Sequence, residues 1–123
     1  MAMTSTEASQ QQQNARAMEV AKTIIDQIKA QDRWALAAWG AQKFVAVPGY
    51  LAADDEVVNN PGIRFHVNGP KTKRGSRVVI ALNPMDTYDI VLGHIYSSRW
   101  KVDKVVSGVY FDQLVGVLDE LIG

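Results

Sequence analysis

The segment spanning residues 77–95, RVVIALNPMDTYDIVLGHI, constrains the fold of this chain more than any other. Two runs rich in Val, Ile, Leu and Tyr, residues 77–82 and 87–95, flank Asn83-Pro84-Met85-Asp86. An Asn-Pro pair favours a type I turn, because proline presets φ at the second turn position and the Asn side chain can bond the backbone ahead. The segment therefore predicts a β-hairpin with a short loop. Val78, Ile80 and Leu82 alternate against Val79 and Ala81, and on the return strand Tyr88, Ile90 and Leu92 alternate against Asp89, Val91 and Gly93. Both faces are fairly apolar, as in strands at the middle of a sheet, so the other strands should lie on either side.

Candidates for those strands are legible. QKFVAV, residues 42–47, reads as a strand ended by Pro48-Gly49. Residues 63–67 alternate cleanly, with Ile63, Phe65 and Val67 facing one way and Arg64 and His66 the other. Residues 99–106, RWKVDKVV, supply a last strand. Its alternation fails at Lys104-Val105, which predicts a bulge or the strand end, and Ser107-Gly108 should break it. Between the first two strands, YLAADDEVVNN (residues 50–60) carries Asp54, Asp55 and Glu56. Calcium loops alternate their ligands with other residues; three adjacent carboxylates read instead as a solvated loop.

Helical periodicity flanks the strands. Ala17, Ala21, Ile24, Ile25 and Ile28 share one helix face, which predicts a helix over residues 14–31 with Asn14 as its N-cap. Residues 1–13, polar and containing four consecutive glutamines, bury too little apolar surface to offset their ordering entropy and read as a disordered tail before a single domain over residues 14–123. After Asp32, RWALAAWGA predicts a second short helix closed by Gly40. Trp34 and Trp39, five residues apart, cannot share a narrow stripe, so one packs inward and the other sits at an edge; the plainer alternative is that both fill the core. An exposed tryptophan would point to a binding surface. Over residues 109–122, Phe111, Leu114, Val115, Leu118, Leu121 and Ile122 form a further helical stripe. Gly116 within it costs about 1 kcal/mol relative to Ala and would mark close packing on the sheet. Helices before and after a run of strands predict an α+β fold: an antiparallel meander of four to five strands, with the N-terminal and C-terminal helices packed on one face.

The pieces WGAQKFVAV, GIRFHVNG, RVVIALNPMDTYDIVLGHI and GVYFDQLVGVL, in this order, resemble a family of small proteins of unknown function encoded by tailed phages and prophages. LNPMDTY (residues 82–88) and GVYFDQL (residues 108–114) are the most specific portions, and the resemblance runs from about residue 21 to the C-terminus. The loop over residues 50–60 is longer than the family implies, and the glutamine-rich tail falls outside it. The resemblance implies a phage or prophage context; it implies no activity and no catalytic residues.

Composition narrows the chemistry. Thirteen basic and thirteen acidic residues cancel, so no overall charge draws the chain to nucleic acid or an anionic membrane. The absence of cysteine removes disulfides, thiolate catalysis and Cys-based metal sites, and is compatible with a reducing compartment. No apolar run approaches the ~20 residues that span a bilayer, and the start lacks the pattern of a signal peptide, so a cytoplasmic location is expected (the host cytoplasm, if phage-encoded). No nucleophile elbow, P-loop or dinucleotide fingerprint is present. The two histidines, His66 and His94, do not match a zincin spacing; a histidine on the polar face of a strand reads as solvent-facing. The expectation is a protein without enzymatic activity, catalytic residues, cofactor or metal. Lys71, Lys73, Arg74 and Arg77 fall within seven residues on a Gly/Pro loop, and such a group could sit on phosphates. Two readings result: an accessory protein that binds a host or phage protein, and, as the alternative, a nucleic-acid-binding accessory protein that uses the basic loop.

Overall fold

The computed structural model describes residues 5–123, with side chains from residue 9 onward. Helix α1 (Ser5–Gln31) and the single turn α2 (Ala35–Ala38) lead into strand β1 (Gln42–Val47). A small hairpin follows, β2 (Tyr50–Leu51) and β3 (Val57–Val58), joined by a 3-10 turn over Ala53–Asp55. Strands β4 (Gly62–His66), β5 (Ser76–Leu82), β6 (Tyr88–Tyr96) and β7 (Arg99–Val109) come next, then a 3-10 turn (Phe111–Gln113) and helix α3 (Leu114–Ile122). The main sheet has the order β1-β4-β5-β6-β7 with every neighbouring pair antiparallel; β2 and β3 form a separate two-stranded sheet. The fold is α+β, a five-stranded meander with helices before and after it, as the order of periodicities predicts.

The central turn forms as its residues require. Asp86 N donates to Asn83 O at 3.0 Å, closing the turn around Pro84 and Met85. Asn83 Oδ1 accepts from Met85 N at 2.9 Å, and Asp86 takes the left-handed conformation (φ 63°) that returns the chain to β6. Ile80 then pairs with Ile90, and Val79 with Val91.

The pairs point to opposite faces, and each face has its own core. On one, Ile63, Phe65, Val78, Ile80, Ile90 and Leu92 meet Val20, Ala21, Ile24 and Ile28 of α1, Trp39, and Leu114, Leu118, Leu121 and Ile122 of α3. The helical stripes read from the sequence are thus buried against the sheet, except that Ile25 and Val115 are half-buried and Phe111 is exposed. Tyr88 Oη donates to Gln27 Oε1 at 2.8 Å, a polar tie between β6 and α1 inside this layer. On the other face Val47, Val79 and Val91 are covered by Tyr50, Trp100 and Val102. Trp100 lies flat on the strand at Gly93, where a Cβ would come within 2.5 Å of the indole ring. Its Nε1 donates to Leu51 O at 2.9 Å and holds the small hairpin down on the sheet.

Several local expectations change. The first helix begins at Ser5 rather than at residue 14, so residues 5–13, expected within a disordered tail, continue α1; residues 1–4 lie outside the described residues. Helix formation is cooperative, and Ser, Ala, Glu and Gln extend an established helix at little cost even without a buried face. The segment over residues 50–60 is no plain loop but the β2–β3 hairpin, although Asp54, Asp55 and Glu56 are exposed as expected. Ser107-Gly108 does not end β7: the two residues together oppose Asp89, Gly108 adopts φ +70°, and its N–H donates to Asp89 Oδ1 at 3.3 Å. A glycine takes that conformation without strain, so the strand bulges and continues to Val109. The other irregularity of β7 leaves Asp103 as the extra residue, next to the expected Lys104-Val105. Gly116 packs against nothing: a Cβ there would meet open space.

Two substitutions test this packing by chemical denaturation. Leu118, fully buried under the sheet, should cost about 2–5 kcal/mol on truncation to alanine. Gly116→Ala should raise stability by about 1 kcal/mol, because the helix gains a better former and no atom is displaced.

Candidate functional site

Three of the four basic residues read as one patch have their own partners within the fold. Lys71 is bound to the end of α3: its N–H donates to Ile122 O at 3.1 Å and its Nζ to Glu120 O at 3.1 Å. Lys73 Nζ lies 2.9 Å from Asp103 Oδ1 on β7. Arg77 is the second residue of β5 and lies on the face away from the helices, where its Nε donates to His66 Nε2 at 3.0 Å. Arg74 is exposed and takes part in no salt bridge among the described residues. The loop that carries them is fastened at several points: Asn68 N to Trp39 O at 2.9 Å, Gly69 N to Thr72 Oγ1 at 2.9 Å, and Lys73 N to the buried Ser76 Oγ at 2.8 Å. Its lysines are tied to carboxylate or carbonyl groups of the protein.

Neither histidine is a free surface group. His94 Nδ1 donates to Asp103 Oδ2 at 2.8 Å, so Asp103 accepts from His94 and Lys73 at once. Burial alone would raise the Asp103 carboxyl, but the bonds and charges of Lys73 and His94 prevail and hold it below the ordinary carboxylate value. His66 stands beside Arg77 in the β4–β5 ladder. Its Nε2 accepts from Arg77 only while unprotonated, which places the neutral ring's hydrogen on Nδ1. Partial burial, followed by the charges of Arg77, Lys43 and Arg64, pushes the imidazole below its usual value.

Of the two tryptophans near α2, Trp39 packs inward and its Nε1 donates to Asp119 Oδ1 of α3 at 2.7 Å. Trp34 is 66% exposed. Asp32 Oδ1 accepts from Trp34 N at 2.9 Å, and the Arg33 guanidinium sits 4.9 Å from the Trp34 ring centroid. Gln31, three residues earlier, fastens the end of α1 to the start of α3: its Nε2 donates to Phe111 O, and its Oε1 accepts from Val115 N at 3.3 Å. Tyr110 and Phe111 are 61% and 58% exposed beside this clasp. The clasp therefore ties the turn that carries Tyr110 and Phe111 to the end of α1, three residues before Trp34. The sequence leaves open whether Trp34 or Trp39 is exposed, or whether both fill the core; Tyr110 and Phe111 are missed, because the 3-10 turn rotates Phe111 out of the helical stripe to which its spacing assigns it.

No helix among the described residues is long and apolar enough to cross a membrane. No protein-family model matches the chain, and neither a curated protein nor a solved structure matches it at a significant level.

The His66–Arg77 bond has a pH signature. With the folded value below the ordinary 6.5, the unfolded chain binds more protons in the interval between the two values, so stability rises with pH there. The His66 contribution should be fully present above about pH 6.5 and lost as the pH falls through the lowered folded value. Imidazole NMR titration should find His66 below the usual range, and Arg64→Gln should move it back up. Thermal melts of His66→Gln should lack this part of the pH dependence.

Proposed function

We propose that this chain is a non-catalytic binding protein that docks on another protein through the corner formed by Arg33, Trp34, Tyr110 and Phe111. The observation that carries the reading is the exposure of the Trp34 ring next to a stacked guanidinium. Trp, Tyr and Arg dominate the energetics of protein interfaces, because a large, stiff ring or a planar cation loses little conformational freedom for the area it buries. Arg33 already lies against the Trp34 ring, and Gln31 holds the backbone of the neighbouring turn, so much of the ordering that binding demands is in place beforehand. The resemblance of residues 82–88 and 108–114 to phage and prophage proteins supports an accessory role toward a host or phage protein. The competing use of Lys71, Lys73, Arg74 and Arg77 on nucleic acid loses support from the engagement of Lys71 and Lys73 within the fold.

The test uses the full chain as bait in nuclease-treated lysate of a bacterial host, followed by affinity measurement on the purified partner. Trp34→Ala and Phe111→Ala should leave the melting temperature nearly unchanged, since both side chains are exposed. Each should weaken partner binding by about 2 kcal/mol or more, roughly thirtyfold. Undiminished affinity in both variants would overturn the assignment of the corner. Absence of any retained protein, together with binding of purified DNA or RNA whose affinity falls steeply with salt and is abolished by replacing the four basic residues, would overturn the protein-binding reading itself.

A further inference from the structure

The face of the sheet away from the helices carries a hollow of about 240 Å³ between the strands and the β2–β3 hairpin. Its apolar wall is Val79 with the rings of Tyr50 and Trp100; its polar side is Arg64, His66 and Arg77. The hydrogen bond from Trp100 Nε1 to Leu51 O fixes the roof, and the close seat of the indole at Gly93 fixes the wall. The hollow is thus built by packing and is independent of the corner around Trp34.

Its charge is unbalanced. Among the described residues, salt bridges are confined to Asp103 with Lys73 and His94, so no carboxylate neutralises Arg64 or Arg77. The charges bearing on His66, at the centre of the group, are all positive: Arg77, Lys43 and Arg64. The acidic groups that bear on the hollow, Asp89 and Glu56, act on the Tyr50 phenol instead. Asp89 is itself occupied, its Oδ1 accepting from Asn83 Nδ2 at 2.9 Å and from Gly108 N. Arg77 uses its Nε on His66 and keeps both terminal amino groups for a ligand.

We propose that this hollow binds a small organic carboxylate, its carboxyl group held by Arg64 and Arg77 and its apolar body lying against Tyr50, Val79 and Trp100. Two guanidinium groups on one wall match the two oxygens of a carboxylate through paired, charge-assisted hydrogen bonds. The opposite wall, formed by Tyr50, Val79 and Trp100, favours a flat hydrocarbon. The volume lies below the range of roughly 300–1,000 Å³ that takes drug-sized compounds, which selects a ligand of about one ring.

Benzoate is the probe, with benzamide and inorganic phosphate as comparisons, titrated into the full chain at neutral pH. The readouts are the Trp100 indole N–H and the His66 ring signals in NMR. Benzoate should shift both saturably. Benzamide, of the same shape without the charge, and phosphate, charged without the ring, should each bind more weakly by roughly tenfold or more. Arg64→Gln, at an exposed position, should fold normally and weaken benzoate by a similar factor. Absence of saturable shifts with benzoate would overturn the proposal. So would equal binding of benzamide, equal binding of phosphate, or full benzoate affinity in the Arg64 variant.

Discussion

Val79 and Val91 are buried on one side of the sheet, Ile80 and Ile90 on the other, and these two cross-strand pairs make two covers obligatory. A pair of central strands with apolar residues on both faces leaves water on neither. The helices supply one cover with long, periodic stripes. The other is small, two strands of two residues each, and cannot rest on area alone. It is held by one tryptophan that needs the missing side chain of Gly93 to lie flat and a backbone carbonyl to receive its N–H. The polar hollow exists because this cover is smaller than the face it protects: beyond its edge, Arg64, His66 and Arg77 take over from the valines.

The loop between β4 and β5 shows how sequence proximity misleads. Four cations within seven residues look like a patch, but Arg77 already belongs to a strand and is carried to the face away from the helices. Lys71 and Lys73 are drawn in different directions, to the carbonyls at the end of α3 and to Asp103 on β7. Lys71 fastens the long connection to the helical layer and Lys73 fastens it to the sheet. Asp103, the extra residue of a bulge, receives two of the molecule's polar ties because the bulge frees it from strict alternation.

What could be read beforehand was whatever repeats locally. The central hairpin, its Asn-Pro turn, the alternation of residues 63–67 and the stripes of α1 and α3 are each stated within a few residues. The β2–β3 hairpin does not, because a two-residue strand has no period and its acidic tip looks like any solvated loop. The start of α1 was hidden for a different reason: residues 9–13 are exposed, and a helix continues from its established turns without a buried stripe. Gly108 was legible as a departure from regular strand, but composition cannot distinguish a bulge from an end. The members of the hollow come from β2, β4, β5 and β7 and meet only through the strand order, so no spacing announces them. Trp34 lay between; the spacing to Trp39 separates the two rings, and only packing decides which is left outside.

The irregularities of the two outermost strands have a consequence for how copies of this protein meet. Along β1 the register slips between Gln42 and Val45, with Lys43 in the left-handed conformation, and β7 carries an extra residue at two places. A straight margin would present an even row of amide and carbonyl groups that a second copy could continue, and the exposed Phe44, Val45 and Val105 would reward it. Here each margin changes direction before such a row can run far, and lysines stand at Lys43, Lys101 and Lys104 along it. The same distortions that place Asp103 and Gly108 therefore also interrupt the regular edge along which another strand would add.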